Sequence, residues 1–131
     1  MKNVKHATEK SATARHNIPP VFDGRSTVLI LGSFPSVASR EEGFFYAHPQ
    51  NRFWKVLSAL FSTPLPRTTE EKKTLLLTHG VALFDVIARC EISGSADSSV
   101  KDAVPNDLTP ILSAAPSLGF SYTGKRGKNY I

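Results

Sequence analysis

The apolar and polar positions of the chain fall into blocks that can be read one at a time. Thr27 to Leu31 is a continuous aliphatic run stopped by Gly32, which predicts a strand buried on both faces. A loop follows to about Gln50. From Asn51 onward, Phe53, Val56, Leu57, Leu60 and Phe61 repeat at the spacing of one helical face. Pro64 and Pro66 end that helix. Thr68 followed by Glu71 is a capping box, predicting a second helix through Leu75, Leu76 and Leu77, with Gly80 as its stop. Val81 to Phe84 reads as a second strand, ending at Asp85. A polar loop covers Ser93 to Asn106. Thr109 and Pro110 suit the start of a short helix through Ile111 and Leu112, which Pro116 closes. Leu118 to Tyr122 reads as a third strand, and Gly124 as the turn into a further helix.

Strands that alternate with helices imply a layered α/β fold with a mainly parallel sheet. Ligands of such sheets bind beyond the carboxyl ends of the strands. Here those ends are Gly32-Ser33, Asp85 and Thr123-Gly124. Residues 1–25 carry scattered charge and the breaker pair Pro19-Pro20, so they read as a flexible basic tail and lead-in. Val21 and Phe22 are expected to dock on the core. The folded domain is expected over residues 26–131.

Composition narrows the classes. At 131 residues the chain can build one core but not two ordinary domains. No apolar run approaches the roughly 18–20 residues of a membrane span. The first ten residues lack the apolar stretch of a secretory signal, so cytoplasmic residence is expected. Cys90 is the only cysteine, which excludes an intramolecular disulfide, a four-cysteine zinc site or an iron–sulfur cluster within this chain. The net charge of +5 is compatible with a polyanionic partner. No metal or cofactor is expected, because no second histidine stands at ligand spacing from His48.

The densest chemistry lies between Gly43 and Trp54. Phe44, Phe45 and Tyr46 could stack on a planar base, or simply pack in the core. Three consecutive rings cannot all face inward, and Tyr46 is the one assigned to a ligand. His48 could bond a base edge or a phosphate, or lie solvated on the surface. Asn51 suits a helix N-cap, yet its amide also offers donor and acceptor to a base and a water. Arg52 fits a phosphate contact or a surface charge. Gly32-Ser33-Phe34-Pro35-Ser36 would let backbone approach a ligand closely, and it lacks the ending of a phosphate loop. Asp85 could cap a loop or orient groups at a pocket floor.

Phe45-Tyr46-Ala47-His48-Pro49-Gln50-Asn51-Arg52-Phe53-Trp54-Lys55-Val56, preceded by Gly32-Ser33-Phe34-Pro35-Ser36, resembles the first motif of the uracil-DNA glycosylase superfamily. The likeness is closest to the branch of mismatch-specific and hypoxanthine (deoxyinosine) DNA glycosylases. Gly80 to Ile87, Gly94-Ser95 with Asp97-Ser98, and Pro105-Asn106-Asp107 look like the hypoxanthine-type middle section. The similarity runs from about Val28 to Tyr130.

The resemblance implies a three-layer α/β sandwich whose mainly parallel central sheet is flanked by helices. It implies a monofunctional enzyme that flips a deaminated base, hypoxanthine or uracil, out of DNA and releases it to leave an abasic site. Asn51 and Ser33 would be the catalytic pair. Gly32, Phe34, Tyr46, His48 and Asp85 would bind the base, while Ser36, Arg52 and Lys125 would contact DNA, duplex or single-stranded. A monomer without cofactor is expected. Mismatch-specific relatives carry an asparagine at the place of Ser33, which points to Asn51 as the functional amide. The superfamily's C-terminal Pro/Ser-rich wedge loop has no counterpart before Ile131, so the C-terminal part is expected to be truncated. A glycosylase-like nucleic-acid-binding domain without turnover is the alternative.

Overall fold

The computed structural model describes residues 12–92, 101–123 and 129–130. In chain order the elements are β1 (Ala12–Arg15), β2 (Val28–Gly32), α1 (Val37–Glu42), α2 (Phe53–Leu60), α3 (Thr69–Thr78), β3 (Val81–Asp85), β4 (Ile87–Ile92), β5 (Lys101–Pro105), α4 (Thr109–Ala114), β6 (Gly119–Thr123) and β7 (Asn129–Tyr130). They form an α/β fold with two sheets.

The aliphatic run becomes β2, at the middle of a four-stranded sheet ordered β3-β2-β6-β7. Both neighbours of β2 run parallel to it, with Gly32 opposite Asp85 and Leu31 opposite Tyr122. The three expected parallel strands are therefore present, and their carboxyl ends lie side by side. Although β3 is an edge strand, all five of its residues are buried. The reason lies in the lead-in: Val21 exchanges N–H···O bonds of 3.0 and 2.9 Å with Leu83 and covers the open edge. Covering an edge in this way hides backbone groups that would otherwise invite another chain.

The core joins Leu29 and Leu31 of β2, Val81 to Phe84 of β3, Trp54 and Leu57 of α2, Leu75 and Leu76 of α3, and Ile111 of α4. Leu29, Leu76 and Leu83 are completely buried, each worth about 1.5–3 kcal/mol of transfer free energy. Half of the capping box forms as the spacing predicts, and the return bond falls one residue early, on Arg67 rather than Thr68. Thr68 Oγ1 accepts from Glu71 N–H at 3.1 Å, and Glu71 reaches back to Arg67 N–H at 2.8 Å. The helix then stops before Gly80, whose φ of 72° suits a residue without a side chain.

Five expectations are corrected. The loop expected up to Gln50 contains helix α1, which Ser36 caps. The fold begins before Thr27, because Ala12–Arg15 pairs antiparallel with β4 and Ile18 is buried; the flexible lead-in through residue 25 does not extend over these residues. Met1 to Ser11 lie outside the described residues. The expected loop before Asn106 contains strand β5, which pairs with β4 to complete a second, antiparallel sheet ordered β1-β4-β5. The face of α2 is rotated: Trp54, Leu57 and Ser58 are buried, while Val56 is 53% and Leu60 72% exposed. The large indole sets that rotation, stacking on Phe44 at 5.9 Å and donating from Nε1 to Phe45 O at 3.1 Å. Asn129–Tyr130, where a further helix is expected, forms a short strand beside β6.

Candidate active site

Gly32 and Asp85 end neighbouring parallel strands at the same level. A Cβ on Gly32 would collide with Asp85 Oδ1, and the same point lies 3.5 Å from Tyr46 Oη. The missing side chain thus lets a carboxylate and a phenol converge over the end of β2. Asp85 is buried, and a buried carboxylate needs strong partners.

Its partner is a residue that the sequence reading left unassigned. His16 Nε2–H donates to Asp85 Oδ2 at 2.7 Å, with both side chains almost sealed from solvent, at 3% and 6% exposure. Ile18 N–H donates to His16 Nδ1 at 3.4 Å. That bond makes Nδ1 the acceptor, leaving the ring hydrogen on Nε2. The backbone N–H of His16 donates to Ala88 O at 2.8 Å. Around the imidazole stand Phe84 at 5.0 Å and edge-on, Phe45 at 6.1 Å and Phe34 at 6.2 Å between ring centres.

The chain passes from the parallel to the antiparallel sheet through one residue, Val86. Asn106 clamps this corner. Its Nδ2 donates to Asp85 O at 2.9 Å and Ile87 O at 3.1 Å, while its N–H donates to Val86 O at 2.7 Å. Across the corner, Val86 N–H and Ile87 N–H donate to Gly32 O and Ser33 O at 2.9 and 3.0 Å. The backbone beneath Asp85 is therefore held from both sides.

Of the three consecutive rings, Phe44 and Phe45 enter the core and Tyr46 stays half-buried. Tyr46 has a φ of 54°, a left-handed conformation rare for an aromatic residue and usual only where surroundings enforce it. Its ring stacks on Phe53 at 4.0 Å with an interplanar angle of 18°. After it comes an exposed turn. His48 Nδ1 accepts from Gln50 N–H at 3.1 Å, His48 O from Asn51 N–H at 2.9 Å, and Asn51 Oδ1 from Phe53 N–H at 2.8 Å. Asn51 is therefore not the N-cap expected of it: that position is the exposed Arg52, which makes no capping bond, and the Asn51 side chain instead closes a turn onto Phe53 just ahead of α2.

The structure brings Gly32, Tyr46 and Asp85 together, with Ser33 directly after Gly32 in the chain. His48, Asn51 and Arg52 line the turn leading from Tyr46 into α2. Ser36 stands apart: its hydroxyl accepts from Ser39 N–H at 3.1 Å and donates to Ser39 Oγ at 3.2 Å, capping α1. Phe34 packs against Ala14 and Cys90, with the Arg40 guanidinium 5.3 Å above its ring. Lys125 lies outside the described residues. Asn106 carried a signal, since Pro105-Asn106-Asp107 belongs to the resembling middle section. His16 carried none, being 69 residues from its partner. Among the described residues, no group of three or more His, Cys, Asp or Glu is placed to hold a metal, and no helix is long and apolar enough to cross a membrane.

Polar groups gathered at the carboxyl ends of parallel strands stand where ligands of α/β sheets usually bind. The chain is 30% identical over 118 residues to the hypoxanthine DNA glycosylase of Methanosarcina acetivorans, spanning 88% of this chain and 75% of that protein. It is 29% identical over 118 residues, with the same shares, to the hypoxanthine DNA glycosylase of Methanosarcina barkeri. The solution NMR structure of a proposed uracil DNA glycosylase from Methanosarcina acetivorans matches with a TM-score of 0.72 at 30% identity, covering 88% of this chain and 73% of that one. No family model matches the chain. The chain belongs to the uracil-DNA glycosylase superfamily, in its hypoxanthine branch.

Proposed function

We propose that this protein is a monofunctional DNA glycosylase that flips out and hydrolytically releases a deaminated base, hypoxanthine or uracil. The convergence of Asp85 and Tyr46 over Gly32, in a chain of this family, carries the reading. In the reaction the C1′–N bond breaks and its electron pair leaves with the base. Water oxygen bonds to C1′; one of its hydrogens stays on the new hydroxyl, and the other proton passes to solvent or the base.

Each residue has a physical task in this scheme. Tyr46 stacks on the extruded base, an interaction worth roughly 1–3 kcal/mol. Gly32 backbone and Asp85 read its edge. Hypoxanthine and uracil both present a ring N–H beside a carbonyl, where adenine and cytosine present a bare ring nitrogen. A fixed carboxylate oxygen accepts from the first and repels the second, so Asp85 Oδ1 distinguishes deaminated bases from their parents. His48 adds a contact at the pocket rim. Asn51 Oδ1 is held by Phe53 N–H, which leaves its second lone pair and its amide hydrogens, with the Ser33 hydroxyl, to orient water and the departing base. Phe34 supports the site from the side of β1. Arg52 and Lys125 meet phosphates, whereas Ser36, whose hydroxyl hydrogen goes to Ser39 Oγ, keeps the task of capping α1.

Duplexes containing deoxyinosine or deoxyuridine, incubated with the protein and then treated with alkali, test the reading. Strand breaks at the deaminated position are expected with the wild type and at least 10²-fold fewer with Asn51→Ala of unchanged circular dichroism. Tight binding without breaks would instead mark a glycosylase-like domain that recognises DNA without turnover.

A further inference from the structure

To read a base, the Asp85 carboxylate at the strand end must be held in one orientation. An unrestrained carboxylate has two equivalent oxygens and turns about its terminal bond. It would then present either oxygen at any angle. His16 removes that freedom. Its Nε2–H takes Oδ2 at 2.7 Å, so Oδ1 is the oxygen left toward Gly32 and Tyr46. The imidazole is itself fixed by Ile18 N–H on Nδ1 and by three phenylalanine rings, and its backbone is anchored by the His16 main-chain N–H on Ala88 O. Turning the ring over would put carbons in place of Nε2 and Nδ1 and leave both Asp85 Oδ2 and Ile18 N–H unmet.

We propose that His16 is the positioning residue of the base-reading site: its Nε2–H locks the Asp85 carboxylate so that Oδ1 meets the ring N–H of a deaminated base. This rests on the glycosylase reading of the same site. It also brings β1 and the segment after it into the active site, although no residue before Gly32 was among the sequence candidates.

Two substitutions separate positioning from packing. His16→Gln keeps a donor close to the place of Nε2 and gives up the ring. His16→Phe keeps a ring in the aromatic surroundings and gives up the donor. Duplexes carrying deoxyinosine or deoxyadenosine report base release, and duplexes carrying 2′-fluoro-2′-deoxyinosine or its adenosine counterpart, which resist cleavage, report affinity. The preference for hypoxanthine over adenine should stay within a few-fold of wild type in His16→Gln. It should fall by about 10²-fold in His16→Phe, the scale expected when a reacting group is misplaced by about an ångström. Should His16→Phe unfold, Asp85→Asn with His16 intact takes its place. An asparagine oxygen can still accept from Nε2, but its NH₂ then faces the base, and the preference should collapse with folding retained. Equal preference in His16→Phe and His16→Gln, or an unchanged preference in Asp85→Asn, overturns the proposal. A wild type that releases no base sinks the glycosylase reading alone, because the affinity ratio still decides the role of His16.

Discussion

At the scale of single residues, the site depends on an absence. Gly32 has no side chain, and that gap admits Asp85 Oδ1 and brings Tyr46 Oη within 3.5 Å of the same point. Gly32→Ala must push the carboxylate aside and strain its bond to His16. A loss of about 1–3 kcal/mol is expected, the usual cost of overpacking a tight site, read as a lower melting temperature. Base release should fall further than stability alone explains, and equal losses in both would speak against a role in the site. Whether a residue was legible in the sequence followed from how local its reason is. That Asn51 bonds backbone at the start of α2 could be read, because donor and acceptor are two residues apart, though the N-cap itself falls one residue later, on Arg52. Tyr46 as the outward ring could be read, because three neighbours cannot all point one way. His16 could not, because its partner becomes a neighbour only through the pairing of β1 with β4.

At the scale of elements, the aliphatic runs and cap signals located β2, β3, β6 and helices α2, α3 and α4, since each depends on residues within a turn or a strand; α1 was missed inside the expected loop. The antiparallel sheet was less legible. Its strands mix small and charged residues, as in Ala12-Thr13-Ala14-Arg15, and only mutual pairing makes them strands. The exposed Val56 and Leu60 show the same limit: spacing defines a helical face, while one bulky indole decides which way it turns. Asn106 links the two sheets at the Val86 corner, and Asn106→Ala would leave the carbonyls of Asp85 and Ile87 without their donor. A loss of about 1–3 kcal/mol is expected, and chemical denaturation would measure it. Next to it, Asp107 Oδ1 accepts from Thr109 N–H at 2.9 Å at the start of α4. Hydrogen bonds from the Thr109 side chain and backbone hold its carboxyl below the ordinary 3.8. A lowered value means that the stabilisation is complete above the ordinary value and is lost as pH falls through the lowered one. Acid titration of stability should therefore show a shallower loss in Asp107→Asn than in wild type over that range.

For the whole molecule, fold and charge act together. The chain carries a net charge of +5, and phosphate contacts release counterions from DNA. Affinity for a duplex should fall linearly on logarithmic axes as salt rises, with a slope of about −0.9 per phosphate neutralised. Arg52→Ala should flatten that slope by roughly one unit without changing which base is chosen; an unchanged slope would remove Arg52 from the interface. Overall architecture was legible because alternating strands and helices leave few ways to build a sheet. The second sheet was hidden because its contacts join residues far apart along the chain.

The edge strand β1 gives the molecule a clock. Among the described residues it pairs with β4 alone, and it leads directly into His16. Edge strands are among the first parts of a fold to fray. Each fraying event would draw the imidazole out and leave Asp85 free to turn. On the proposed reading of the site, the time for which the base reader stays set would follow from how long four residues, Ala12 to Arg15, stay zipped to β4. Amide exchange along those residues would read that interval directly.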